Sequence, residues 1–316
     1  MLSSIILFLT GLFLLLLGSK ELVRNALVLA GKVRISPLVI GFTVVAIGTS
    51  LPEITVTLFG GIDKANDLAL GNIVGSNITN IGLIFGFALI FRNIYIGTLK
   101  TQKNMLLYLL LSNVFFLLLL LMRLKVTEGL ILLSLGILTI FWQIRQGKKG
   151  ALKEDKAVLD ELGKDHSRNP LLSVLLFILS LLALLIGSKL LVDSGVSLAN
   201  LFGVSPFLIG IVAVSIGTSI PELAVTVTSL LKKEEKLAVG NILGSNIYNI
   251  FFGGGILGVF NTKGVNNLTA LSFFAVFSLL FCFLIYTFKG KNIPKYFGLI
   301  ILATFVLYLL LIVNNN

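Results

Sequence analysis

Apolar blocks of about twenty to thirty residues, separated by short polar breaks, recur along nearly the whole chain. A helix needs about 20 apolar residues to cross the hydrocarbon core of a bilayer, so each block predicts a membrane span. The blocks lie at 3–31, 36–60, 66–90, 103–122 and 126–146, then at 170–200, 205–231, 237–259, 268–288 and 294–313. Ten spans put both termini on the same side of the membrane. The first block has no Lys or Arg before it and no small-residue cleavage site after it, so it reads as a retained span.

Composition agrees with that pattern. Of 316 residues, 56% are hydrophobic and only 12% charged, about half the charge of a soluble domain. This excludes an ordinary soluble enzyme and a disordered chain. The formal charge of +11 is unevenly placed. Of the 25 Lys and Arg, eighteen fall in one set of alternate loops and four in the other; Lys20, Arg24 and Lys189 lie within helices. Cytoplasmic loops carry the excess of Lys and Arg. Both termini are therefore expected outside a cell membrane, with the polar stretch 147–169 in the cytoplasm. The same asymmetry accounts for the basic charge without nucleic acid. Stretch 147–169 is too short to fold as a domain and reads as a connector with a short helical pattern from Ala151 to Leu162. Glu21 with Arg24, and Lys189 with Asp193, have the spacing of interfacial pairs.

The chain repeats itself. Gly-Thr-Ser-Leu-Pro-Glu at 48–53 returns as Gly-Thr-Ser-Ile-Pro-Glu at 217–222. Gly-Asn-Ile-Val-Gly-Ser-Asn-Ile-Thr-Asn at 71–80 returns as Gly-Asn-Ile-Leu-Gly-Ser-Asn-Ile-Tyr-Asn at 240–249. The offset is 169 residues in both cases (222 − 53 and 249 − 80), and it also relates Gly18-Ser19-Lys20 to Gly187-Ser188-Lys189. The predicted fold is thus an all-α polytopic membrane protein of ten transmembrane helices in two five-helix repeats, 1–146 and 170–316. Five spans per half is an odd number, so the second half is inverted. Inverted repeats are a mark of secondary transporters, whose substrate sites lie near the midplane where the repeats meet.

The best-matched segments are polar, which packing alone does not require. Glu53 and Glu222 fall inside spans, where a carboxylate costs roughly 2.5–3.5 kcal/mol or more unless paired or hydrated. No basic residue shares those helix cores. Pro52 and Pro221 have no N–H to give the carbonyls of Gly48 and Gly217, so both helices are expected to break there and bare backbone oxygens toward a cavity. Thr49, Ser50, Thr218 and Ser219 add hydroxyls within a turn of each glutamate. In the next spans Asn72, Ser76 and Asn80 share one helix face at i, i+4 and i+8, as do Asn241, Ser245 and Asn249. Asn80 and Asn249 read as site residues; Asn72 and Asn241 serve helix packing as readily. The glycines at 71, 75, 82, 240 and 244 permit close helix approach. Such an all-oxygen donor set suits calcium and can be shared by sodium; zinc and copper are disfavoured.

These paired blocks resemble the two α-repeats of the sodium/calcium exchangers, in the cation/calcium exchanger superfamily, and most closely its compact prokaryotic members. The resemblance covers the chain in span order. It implies alternating access and four clustered cation sites between the second, third, seventh and eighth spans. It implies Glu53 and Glu222 as central ligands, with Thr49, Ser50, Ser76, Thr218, Ser219 and Ser245 and the backbone carbonyls of Ala46 and Ser215 around them. It also implies that the long first and sixth spans slide past the core as a gate. Some relatives, among them the potassium-dependent exchangers, carry Asp where this chain has Asn80 or Asn249. Two Asn at these places imply independence of potassium. The large cytoplasmic calcium-sensing insert of some relatives has no counterpart at 147–169.

The expected activity is sodium-driven calcium antiport, with no cofactor, no enzyme activity and no obligate protein partner. The transported ions and the lipid bilayer are the expected contacts. Proton/calcium exchange and a passive cation channel remain alternatives that the residues leave open.

Overall fold

The structure, a computed structural model, describes residues 2–33, 35–62, 66–95, 109–110, 113–114, 116–117, 125–154, 170–201, 216–260, 268–288 and 291–314. It is all-helical apart from one two-residue strand pair. Helix α1 is Leu2–Val33. The second span is broken into α2, Pro37–Thr49, and α3, Leu51–Ile62, which meet at a 43° bend. Next comes α4, which runs from Asn66–Thr79 through a π-helical turn at Asn80–Phe85 into Gly86–Phe91. Helix α5 is Val126–Glu154 and α6 is Pro170–Leu201. In the second half, α7 is Ile220–Leu231 and α8 is Glu235–Val259, with a π-helical turn at Asn249–Gly253. Helices α9, Leu268–Thr287, and α10, Tyr296–Asn314, complete the chain. Six described helices are long and apolar enough to cross a membrane, and the α2–α3 pair makes a seventh span.

The two expected repeats of five helices account for this order. Of the fourth span only 109–110, 113–114 and 116–117 are described, and they are helical. The first part of the seventh span, 205–215, lies outside the described residues. One helix end differs from expectation: α5 does not stop near 146 but runs to Glu154. Its last turn, Ala151 to Glu154, is Ala, Leu, Lys and Glu, all good helix formers, and it continues the helix past Gly147 and Gly150.

The outer surface is apolar, and the interior holds polar side chains within a largely apolar core. Leu171, Phe141 and Leu231 are among many large apolar side chains on the outer surface, while Glu53, Glu222, Asn72, Asn241, Ser76, Ser245 and Thr49 are buried. Two close approaches set the frame. Helices α1 and α6 cross at Gly18 and Gly187. A Cβ at Gly18 would lie 2.7 Å from the Leu184 amide nitrogen, and one at Gly187 would lie 2.7 Å from that of Leu15. Since 15 and 184 are also repeat mates, the crossing is reciprocal. Helix α8 lies directly on α2: a Cβ on Gly240 or Gly244 would lie 2.3 or 2.2 Å from the carbonyl oxygens of Leu38 and Phe42. Gly82 is tight as well, against Phe305, but Gly71 faces open space and brings no helix close.

The turn from α7 to α8 is sharp. Lys233 sits there at φ 64°, in the left-handed region, and the Glu234 N–H returns to the Ser229 carbonyl at 2.8 Å. At the same end of the molecule Ile94–Tyr95 (β1) pairs antiparallel with Asn292–Ile293 (β2), Ile94 opposite Ile293. Arg92 pairs with Glu235 and also donates to the Leu230 carbonyl at 3.3 Å. These contacts tie the two halves together beside the α7–α8 turn. The two pairs expected within helices are present, Lys189–Asp193 at 2.9 Å and Glu21–Arg24 at 4.0 Å, and both are solvent-facing.

Candidate functional site

The first half supplies the broken pair α2–α3 and the continuous α4; the second supplies α7, which starts at a turn at the matching place, and the continuous α8. The break in the first half is Ser50, at φ −83°, ψ 6°. Its repeat mate Ser219 has φ −87°, ψ 5°. The chain thus turns in the same way just before each proline. The turn places Glu53 and Glu222 in the first turn of α3 and α7, inside the protein, with 1% and 0% of their surface exposed.

Each glutamate is met by a hydroxyl from the opposite half. Ser50 Oγ donates to Glu222 Oε1 at 2.9 Å, and Ser219 Oγ donates to Glu53 Oε1 at 3.2 Å. Ser245 Oγ also donates to Glu222 Oε1, at 3.3 Å. The other oxygen of each carboxylate, Oε2, is buried with no hydrogen-bond partner among the described residues. No described Lys, Arg or His pairs with either glutamate. Two buried carboxylates, each with a bare oxygen and no basic partner, form a site that a cation fits, because an unpaired charge is expensive in a medium that cannot solvate it.

Helices α4 and α8 brace the two turns, again reciprocally. Thr49 Oγ1 donates to Asn241 Oδ1 at 3.2 Å, and Thr218 Oγ1 donates to Asn72 Oδ1 at 3.3 Å. The other end of each amide holds its own half: Asn72 Nδ2 donates to the Glu53 carbonyl at 3.0 Å and Asn241 Nδ2 to the Glu222 carbonyl at 3.4 Å. Asn72 and Asn241 therefore set the backbone that carries the glutamates, a role their helical spacing alone does not decide. The Ser76 and Thr218 hydroxyls lie 3.2 Å apart.

Of the remaining expected residues, Asn80 and Asn249 each begin a π-helical turn and are buried. Asn80 Nδ2 donates to Asn246 Oδ1 at 3.1 Å, leaving Asn80 Oδ1 without a partner; neither amide atom of Asn249 has one among the described residues. The Ala46 carbonyl accepts the Ser50 N–H at 3.0 Å and the Thr49 hydroxyl at 3.3 Å. Ser215 lies outside the described residues. The carbonyl of Gly217, expected to be bare, instead accepts the Ile220 N–H and the Ser188 hydroxyl, both at 3.4 Å. The turn folds the next amide back onto it, and α6 supplies the second donor.

The family model described as sodium/calcium exchanger protein matches residues 3–145 and 172–314. The sodium/calcium exchanger MaX1 of Methanosarcina acetivorans is 29% identical over 349 residues, covering 97% of each chain. The inner membrane protein YrbG of Escherichia coli K12 is 36% identical over 257 residues, covering 79% of this chain and 78% of its own. Among solved structures, the sodium-calcium exchanger NCX_Mj soaked with sodium and strontium superposes with a TM-score of 0.83 at 30% identity, over 97% of each chain.

Proposed function

Because the chain belongs to the sodium/calcium exchanger family, we propose that it is a secondary active antiporter that moves sodium against calcium by alternating access. The observation that carries this reading is the reciprocal pair of bonds, Ser50 to Glu222 and Ser219 to Glu53, with each Oε2 left unpartnered. One cation at that place meets both halves at once, so its binding couples to their relative position. Membrane transporters built from inverted repeats bind at this kind of seam.

In this reading Glu53 and Glu222 are the central ligands. Thr49, Ser50, Ser76, Thr218, Ser219 and Ser245 give hydroxyl oxygens, Asn80 and Asn249 amide oxygens, and Ala46 and Ser215 backbone oxygens. The two ionised glutamates bring a formal charge of −2, and the two Asn bring none. One calcium balances that charge, and so do two sodium ions. A third sodium leaves an excess of +1 for neutral oxygens to solvate. Exchange of more than two sodium ions per calcium is electrogenic, and the absence of a third carboxylate favours independence of potassium. The loop asymmetry in Lys and Arg supports termini outside and the 147–169 linker inside, with 1–146 and 170–316 as the two moving repeats.

The test is calcium-45 uptake into sodium-loaded proteoliposomes, with and without external sodium, potassium and a pH gradient. Uptake that needs the outward sodium gradient is the expected result. Uptake driven by a pH gradient without sodium selects proton/calcium exchange, and uptake that needs no counter-ion selects a channel.

A further inference from the structure

An asparagine presents two different ends, an acceptor oxygen and a donor NH2, and only the oxygen serves a cation. What turns the right end inward at Asn80 is therefore a question of its own. In the first half Asn80 opens the π-helical turn of α4, and π turns inside α-helices recur at functional sites. Its NH2 is engaged across the seam, donating to Asn246 Oδ1 at 3.1 Å. Its oxygen is buried and has no partner among the described residues. Asn246 is itself 1% exposed and follows Ser245 directly on α8.

We infer that Asn246 is a positioning residue: by accepting the Asn80 NH2 it fixes that amide with its oxygen toward the cation site. The inference rests on the proposed role of Asn80 as a ligand and adds the residue that makes it one. The bond is not an automatic consequence of the repeat. The corresponding pair is Asn249 with Asn77, and there all four amide atoms are buried without partners among the described residues. Only one of the two equivalent amide locks is closed in this conformation, and it lies on Asn80.

The experiment measures equilibrium calcium affinity of the full chain, purified in detergent, by titration calorimetry. Asn80 and Asn80→Ala are compared in three backgrounds: native Asn246, Asn246→Leu and Asn246→Asp. Removing a group that orients a metal ligand typically costs 10–100-fold in affinity. In the native background Asn80→Ala should weaken calcium binding about tenfold. In Asn246→Leu the affinity ratio between Asn80 and Ala should fall to near one, because an unheld amide contributes little. An ionised Asp can only accept, so Asn246→Asp should restore the ratio. A packing role for Asn246 would lower affinity equally with Asn80 or Ala, and the double-mutant cycle would then show no coupling. A ratio that persists in Asn246→Leu, or that is lost in Asn246→Asp, overturns the positioning role while Asn80 stays a ligand. If Asn80→Ala has no effect even beside native Asn246, the ligand reading of Asn80 fails and this inference fails with it. Should Asn246→Leu not fold, Asn246→Ala removes the same acceptor and carries the same comparison.

Discussion

Ser50 and Glu222 are 172 positions apart in the chain and 2.9 Å apart in space. Their repeat mates, Ser219 and Glu53, stand in the same relation at 3.2 Å. Each half thus completes the other's carboxylate. A hydrogen bond to a charged group contributes roughly 1.5–3 kcal/mol. Ser50→Ala and Ser219→Ala should therefore weaken calcium affinity by comparable factors. Calcium titration of the two variants checks this, and an effect confined to one of them contradicts a shared site.

Removing the charge is a stronger change. Glu53→Gln and Glu222→Gln keep the shape and the amide oxygen but remove half the site's negative charge each. Both variants should fold, by gel filtration and thermal melting, and both should lose exchange. Normal calcium flux in either one would refute the assignment.

Two neutral amides, Asn80 and Asn249, occupy places where an additional cation would favour a carboxylate. Exchange should run at the same rate with potassium or choline as the background cation. A strict potassium requirement in proteoliposomes would count against the all-Asn reading.

Voltage separates the stoichiometries. A charge crossing the membrane potential gains or loses about 2.3 kcal/mol per 100 mV. With three sodium ions leaving per calcium entering, net positive charge moves outward. A potential set inside-positive with potassium and valinomycin should then speed calcium entry, and inside-negative should slow it. Indifference of both rate and final gradient to voltage would mean two sodium ions, or two protons, per calcium.

Gly18 and Gly187 make a prediction about the crossing of α1 and α6. A methyl group at either would press on main-chain atoms of the facing helix at 2.7 Å, and backbone yields poorly. Gly18→Ala and Gly187→Ala should force α1 and α6 apart and depress transport. Gly71→Ala meets nothing within 4 Å and should be neutral or slightly stabilising, by up to about 1 kcal/mol of helix propensity. Thermal melts and flux of the three variants side by side test the contrast.

Much of this arrangement is legible in the amino-acid sequence. Pro52 and Pro221 mark the breaks because a missing N–H is a local fact, and the constant offset declares Glu53 and Glu222 equivalent. The crossed pairings are not legible there. Periodicity says which residues share a helix face, not which face meets which, so the double role of Asn72 and the bond from Asn80 to Asn246 emerge only when the halves dock. The strands at Ile94–Tyr95 and Asn292–Ile293 are too short to show a two-residue alternation. The pairing of Arg92 with Glu235 joins the end of α4 to the start of α8, a contact that spacing along the chain does not announce.

The exchange of donors between halves also has a consequence for how the protein is made. Ser219 lies 166 residues beyond Glu53. At ordinary rates of translation that distance is on the order of ten seconds of synthesis. During that interval Glu53 is already in the growing chain without its hydroxyl partner. Glu222 has no such wait, since Ser50 precedes it. The two glutamates are equal in the finished molecule and unequal on the ribosome, and the burden of a temporarily unsatisfied carboxylate falls on the half that is born first.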